Sequence, residues 1–178
     1  MIGRPLLPAL LAGLAALLLL AAPLCASLPG DTSWSLPGTV KARASTAFGS
    51  RTIRSPDVME LHLDGEGGFS YSYASDPGFV FRGTLQEEGK WTLLVLDEES
   101  MEAYRDTVVA GLGAEGIEVL DFGDPRWDLR ARTKERRGEA EMRVKVLLRT
   151  RMTVYYAGRD FRLGLVMRGG FRGGEAGA

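Results

Sequence analysis

The chain has 178 residues, with 22 Lys/Arg against 23 Asp/Glu, one Cys and one His, for a formal net charge of −1 at pH 7. That length suffices for one self-supporting core, a lone cysteine excludes a disulfide framework, and a lone histidine leaves little for acid–base catalysis. The balanced total conceals a division: residues 27–125 hold 7 Lys/Arg and 17 Asp/Glu, whereas residues 126–172 hold 14 and 5.

Residues 1–26 read as a secretory signal peptide: Arg4, a Leu/Ala run from Leu6 to Leu24, then small residues around Ala26 suited to cleavage. The expected localisation is therefore exported, periplasmic or extracellular. A retained N-terminal anchor is the first alternative, although Pro5, Pro8 and Gly13 interrupt the apolar run. Lipid attachment at Cys25 is the second, although a lipobox wants a small residue where Leu24 stands. Residues 27–33 form a linker, residues 34–172 one domain, and residues 173–178 a disordered glycine-rich tail.

Within the domain the dominant rhythm has period two. Trp34, Leu36, Gly38, Val40 and Ala42 alternate with Lys41 and Arg43 in a first strand, where Pro37 suggests an edge or a bulge. Residues 46–57 read as a loop. Met59, Leu61 and Leu63 then alternate with Glu60, His62 and Asp64, and the glycine-rich turn at 64–68 leads to Phe69, Tyr71 and Tyr73 on the returning strand. Two further turns frame a strand with Phe79, Phe81 and Leu85 and another over residues 91–96. This last segment is apolar on both faces, so a covered, central position is expected.

One helix interrupts the strands. Asp97 or Ser100 can cap it, Glu98, Glu99 and Glu102 suit its positive end, and Met101, Tyr104, Val108 and Leu112 form a single apolar stripe. The helix is expected to end at Gly111 and Gly113 and to cover the strand before it. A short strand over 116–122 and another over 127–137 follow. The longest alternation begins at Glu139. Met142, Val144, Val146, Leu148, Met152, Val154 and Tyr156 share one face against Arg143, Lys145, Arg149 and Arg151, and a turn at Gly158 folds back into Phe161, Leu163, Leu165 and Met167. The fold class is mainly β: an antiparallel up-and-down meander of eight or nine strands curled into a barrel, with one inserted amphipathic helix.

The segments Trp34-Ser35-Leu36-Pro37-Gly38, Leu61-His62-Leu63-Asp64-Gly65, Gly68-Phe69, Arg82-Gly83-Thr84 and Lys90-Trp91 together resemble exported bacterial proteins with a lipocalin-like (calycin-type) β-barrel. Here the tryptophan precedes glycine by four positions and the helix interrupts the strands, whereas in that family the helix follows the barrel. The resemblance implies a barrel that holds a small apolar molecule.

No catalytic constellation emerges: His62 stands between Glu60 and Asp64 on an outward strand face, three residues in a line rather than around an ion, and no nucleophile motif or phosphate loop is present. The expected function is a non-enzymatic binding protein with no cofactor and no metal. Its small hydrophobic or amphipathic ligand would be contacted by Tyr71, Tyr73, Phe79, Phe81 and Trp91, although aromatics on inward faces also serve as plain core. The alternative is an envelope interaction module that docks an anionic lipid, polymer or protein through a basic sheet face of Arg130, Arg132, Arg143, Lys145, Arg149 and Arg151. Those charges could instead be neutralised internally by Glu98, Glu99, Glu102 and Asp106 of the helix together with the acidic first half of the domain. Nucleic acid is not expected as a partner, because no aromatics interleave with the outer arginines.

Overall fold

The computed structural model describes residue 28, residues 31–136 and residues 138–176. The segment read as a signal peptide, Cys25 with it, and residues 27, 29 and 30 of the linker lie outside the described residues, while Thr32 and Ser33 of the linker already belong to the first strand. The chain runs β1 (Thr32–Thr46), β2 (Gly49–Leu63), β3 (Gly68–Tyr73), β4 (Asp76–Glu88), β5 (Trp91–Leu96), α1 (Glu98–Ala114), β6 (Glu118–Phe122), β7 (Arg126–Arg136), β8 (Glu139–Tyr156) and β9 (Arg159–Gly173). All strand pairings are antiparallel, in the order β6-β8-β7-β5-β4-β3-β2-β1-β9, and an additional β8–β9 pairing closes the sheet into an eight-stranded barrel. The ninth strand, β6, continues the line of β7. Residues 126–136 pair with the first part of β8 and residues 118–122 with its last part, so the two lie end to end along one neighbour.

The period-two reading holds through the barrel part of β1–β4 and β8; Tyr156, expected inward at the end of β8, is 49% exposed. Met142, Val144, Val146, Leu148, Met152 and Val154 are all buried, as are Trp34, Leu36, Met59, Leu61, Leu63, Phe69, Tyr71 and Phe81. Their outward neighbours are polar because a one-residue shift would exchange the two faces of a half-buried strand. The β8–β9 turn is tight: Ala157 and Gly158 both have positive φ, 52° and 82°, as a two-residue hairpin loop with the primed twist requires.

Several boundaries differ from the expectation. Residues 49–57, read as a loop around Gly49 and Pro56, belong to β2 and pair residue for residue with β1. They are exposed because β3 pairs only with residues 59–63, which leaves the outer edge of β2 unpaired before them. Pro56 and the charges of Arg51 and Arg54 suit such an edge. Helix α1 continues past Gly111 and Gly113 to Ala114, and Gly116 (φ 74°) follows its cap. Of the two candidate caps, Asp97 accepts a hydrogen bond from the Ser100 N–H at 2.7 Å, while Ser100 itself is buried and ties the helix to β4 by donating from its hydroxyl to the Arg82 carbonyl and accepting from the Arg82 N–H. The helix does not cover β5. It packs on β6 and β4, and Val108 and Leu112 join the cluster around Met152, Val154 and Leu163. Val95 on β5 is accordingly 44% exposed. At the C-terminus, Gly173 is still strand and Glu175 bridges to Trp34, so only residues 177–178 of the expected tail lie outside the described residues.

Close backbone approach fixes several glycines in the sheet, Gly38 and Gly83 among them. A Cβ at Gly38 would overlap the Gly170 carbonyl and the Phe171 ring, where β1 meets β9 and the barrel closes; one at Gly83 would overlap the Val95 carbonyl. Gly83→Ala is expected to cost about 1–3 kcal/mol in urea denaturation, because the β4–β5 backbone must part to admit the methyl. Gly111→Ala, with open space around it on the helix, is expected to gain about 0.5–1 kcal/mol. Equal effects from both substitutions would contradict the packing described.

Candidate functional site

Three regions carry the candidate residues: the aromatic interior, an apolar groove at one end of the barrel, and the basic outer face. In the interior, inward positions of β3 and β4 bring Tyr71, Tyr73, Phe79 and Phe81 together. Tyr71 stacks on Phe81 with centroids 4.7 Å apart, Phe79 meets Phe81 edge-on at 4.7 Å, and Tyr73 leans on Phe171 at 5.6 Å. Phe81 passes the chain of rings to Trp127 at 5.4 Å, and Trp127 to Tyr104 of α1 at 5.2 Å. These rings pack on one another as the main core of the barrel.

Trp91 departs from the expected set. It lies at the start of β5 on the outer face, with the Arg132 guanidinium 4.4 Å and the Lys145 ammonium 5.0 Å from its ring centroid. The inward positions of β5 are Thr92 and Leu94, both buried. The alternation was misassigned because that strand is apolar on both faces.

The hydroxyls of Tyr71 and Tyr73 are buried, and neither meets hydrogen-bond geometry with a partner. Burial pushes both phenols up, Tyr71 well above its ordinary value; the charge of Asp57 adds to the shift at Tyr73. Asp57 itself is held below the usual carboxylate range. Partial desolvation would raise it, but hydrogen bonds from the Ser75 hydroxyl (2.6 Å) and from the Val58 and Ser75 N–H groups prevail.

Beyond the aromatic core the long strands β8, β9 and β1–β2 outrun the barrel. Between them and α1 lies a half-open groove of about 240 Å³ whose walls are almost wholly apolar: Ala42, Ala44, Ile53, Tyr104, Leu148, Leu165 and Met167, with Arg43, Arg51 and Val166 also contributing. Ala42 faces Ile53 and Ala44 faces Arg51 across the β1–β2 ladder, so Arg51 stands on the groove side of the hairpin. Ile53 is 57% exposed at the open side. The sequence reading missed this site. Its signal is the run Val40, Ala42, Ala44 on the inward face of β1, where shrinking side chains leave space; Ile53 was hidden in the supposed loop.

The outer face of β7, β8 and β9 carries the predicted arginines, and β1 and β2 extend it. Arg126, Arg130, Arg132, Lys134 and Arg136 oppose Arg149, Lys145, Arg143, Glu141 and Glu139 in register, and Arg168 opposes Lys41, which opposes Arg54. Neutralisation does not come from α1: among the described residues none of Glu98, Glu99, Glu102 or Asp106 forms an ion pair. Glu141 serves Arg172, Arg143 (3.4 Å) and Arg136 (3.8 Å), and Arg130 is held by Asp128 at 2.5 Å and Glu88 at 3.1 Å. The bond from Arg172, reinforced by Arg143 and outweighing some desolvation, keeps the Glu141 carboxyl low. Thus, of the six residues expected to meet an anion, Arg130 and Arg143 are ion-paired and Arg132 and Lys145 sit on Trp91. Arg149 and Arg151 make no ion pair among the described residues.

His62 exchanges a hydrogen bond with the Ser33 hydroxyl at 3.1 Å on the outer face. Among the described residues no group of three His, Cys, Asp or Glu is placed to hold a metal ion, and no helix is long and apolar enough to cross a membrane. Comparisons with protein-family models, curated proteins and solved structures returned no match. The class defined by the coordinates is an antiparallel, eight-stranded closed β-barrel with a helix inserted between β5 and β6.

The buried phenols give a directional pH prediction. Their folded pKa values are raised, so the stability linked to them is complete below the unfolded tyrosine value of about 10 and is lost as pH rises toward the folded values. Replacing both Tyr71 and Tyr73 by Phe should move the alkaline unfolding midpoint, followed by circular dichroism, to higher pH. At pH 7 the change should stay within about 1 kcal/mol, because the polar group nearest each hydroxyl is the other hydroxyl and both are removed together, leaving no partner orphaned. An unmoved alkaline midpoint would place the two hydroxyls in water.

Proposed function

We propose that this protein is an exported, non-enzymatic carrier of the lipocalin-like type that binds a compact amphipathic molecule. The single observation that supports the reading is the groove of about 240 Å³ beneath the β1–β2 hairpin, walled by apolar side chains from β1, β2, β8, β9 and α1. Binding is driven by removing apolar surface from water, at about 25 cal/mol per Å² before the costs of association. The groove lies just below the usual range of about 300–1,000 Å³ for small-molecule sites, which suits a short acyl chain or one ring system with the remainder leaving through the open side.

Arg51 supplies the polar end. Its guanidinium can meet a carboxylate or sulfonate bidentately while the apolar portion lies against Leu165 and Met167. A ligand with one anionic head and one short tail therefore fits better than a neutral hydrocarbon. Relative to the sequence expectation, the ligand contacts move from the aromatic interior to this groove, and the aromatic set supplies the floor that shapes the barrel. The interior rings pack on one another at 4.7–5.7 Å, which favours the groove over the interior as the place for a guest.

Decanoate is the test ligand. Isothermal titration at low salt should give saturable binding with one site per chain. Ala44→Trp, which fills the groove, should abolish it. Arg51→Glu should weaken decanoate about tenfold, a difference of about 1.4 kcal/mol, while decanol binding changes little. Equal affinity for decanoate in wild type and both variants, each confirmed as folded by a cooperative melt, would refute the assignment.

A further inference from the structure

On the outer face of the barrel, where β6 gives way to β7, a cleft of about 410 Å³ opens between Gly123, Asp124, Arg126, Arg149 and Arg151. We propose that this cleft is a binding site for a phosphomonoester, with the phosphate held by Arg126, Arg149 and Arg151. It lies on the opposite face of the sheet from the groove and does not depend on the amphipathic ligand.

The first argument is geometric. β6 and β7 run end to end along β8, and the ladder is interrupted at residues 123–125, between the Phe122–Met152 and Arg126–Arg149 pairs. The chain is drawn in tightly at the break: the Gly123 N–H donates to the Arg151 carbonyl at 2.9 Å, and a Cβ on Gly123 would lie 2.7 Å from that oxygen. The gap is thus built into the backbone. Arg126 faces Arg149 directly across the ladder, about 5 Å apart at Cα, and Arg151 stands two residues further along the same face. On the far side of β8, Arg149 is opposed by Val166 and Arg151 by Gly164, neither of which supplies a counter-charge.

The second argument is electrostatic. Like charges directly opposite in a sheet repel, and elsewhere along the β7–β8 ladder each such pair is offset, by Glu141, by Asp128 and Glu88, or by the ring of Trp91. In the cleft, by contrast, none of the three guanidiniums has an ion pair or a side-chain hydrogen bond among the described residues. Asp124 lines the cleft and Asp121 stands one row away on the same face, yet neither comes within ion-pair distance of them. Three forked donors around one recess, with an excess of positive charge, match a tetrahedral dianion, which offers more than one face for bidentate contact. A bare phosphate would leave most of the cleft empty, so the ester's organic group has room beside the arginines.

Two sources share this chemistry, a soluble phosphomonoester and a phosphatidic-acid headgroup, and the experiment separates them. The probes are glycerol 3-phosphate, by calorimetry and thermal shift at low salt, and phosphatidylcholine vesicles containing phosphatidic acid, by co-sedimentation. Wild-type full chain should bind at least one probe, and a soluble ligand should raise its Tm. The triple variant R126Q/R149Q/R151Q should lose at least tenfold in affinity while its own Tm holds or rises, because repulsion is relieved; Arg149→Gln alone should lose about threefold. The control K41Q/R54Q/R168Q removes the same charge from the neighbouring row of the same face and should bind as wild type. Vesicle binding without glycerol 3-phosphate binding, lost in the cleft variant only, assigns the site to a lipid headgroup. Binding by neither probe, equal binding in wild type and the cleft variant, or equal loss in the control overturns the proposal. Ala44→Trp, which blocks the groove, should leave these results unchanged, so the two assignments stand or fall separately.

Discussion

Closing the sheet is the constraint on which the rest of the molecule depends, and its narrowest point is the junction of β5 with β7. Only two residue pairs, Thr92 with Ala131 and Leu93 with Arg130, join those strands, whereas β1–β2 and β8–β9 are each joined by fifteen. So short a ladder has few backbone hydrogen bonds of its own, and the outer side chains brace it. Arg132 and Lys145 reach across to the ring of Trp91 on β5, and Arg130 of β7 reaches Glu88 of β4. Each exposed contact is weak by itself, yet together they span the junction where the ladder is thinnest. Part of the basic face is therefore structural clamp, and the arginines beyond its reach are free for other chemistry.

The division of the sheet into two chemically opposite faces also explains which parts of the fold were legible in the sequence. In β8 the inward positions from Met142 to Val154 are apolar except Thr150 and alternate with Arg143, Lys145, Arg149 and Arg151, so the two-residue period assigns the faces despite the outward Leu147. β5 offered no such contrast: Trp91, Leu93 and Val95 are as apolar as Leu94 and Leu96, and the outward position of Trp91 depends on cations supplied by β7 and β8. The tip of β2 was illegible for the converse reason. Its residues are polar, carry a glycine and a proline, and are exposed, which is what a loop looks like; only pairing with β1 makes them a strand.

The sites were less legible still. A filled interior and a hollow one draw on the same inward aromatics, and the choice between them rests on ring-to-ring distances that no spacing rule contains. The groove depends on two alanines meeting Leu165 and Met167 from a strand more than 120 residues away. The neutralised and free arginines look alike in sequence. Neutralisation was expected from the four helical acids and the acidic first half; among the described residues Glu88 of that half takes part, and Glu141 does most of the work. What separates the two groups is an acid within reach: Asp128 and Glu141 stand two residues before Arg130 and Arg143 on their own strands, and Glu88 approaches Arg130 from β4.

The pairing of β1 with β9 has a consequence for how the barrel forms. Gly38 meets Phe171, and nearly the whole domain must be synthesised before the first strand acquires its second neighbour. Such distant pairing gives the topology a high contact order, so folding should be slow compared with a helical bundle of similar size. Until then the long β1–β2 hairpin has an open flank on both sides, which invites pairing with other chains. The charges along Lys41, Arg43, Arg51 and Arg54 would make that nascent hairpin repel copies of itself, so they protect the unfinished molecule as well as decorating the finished one.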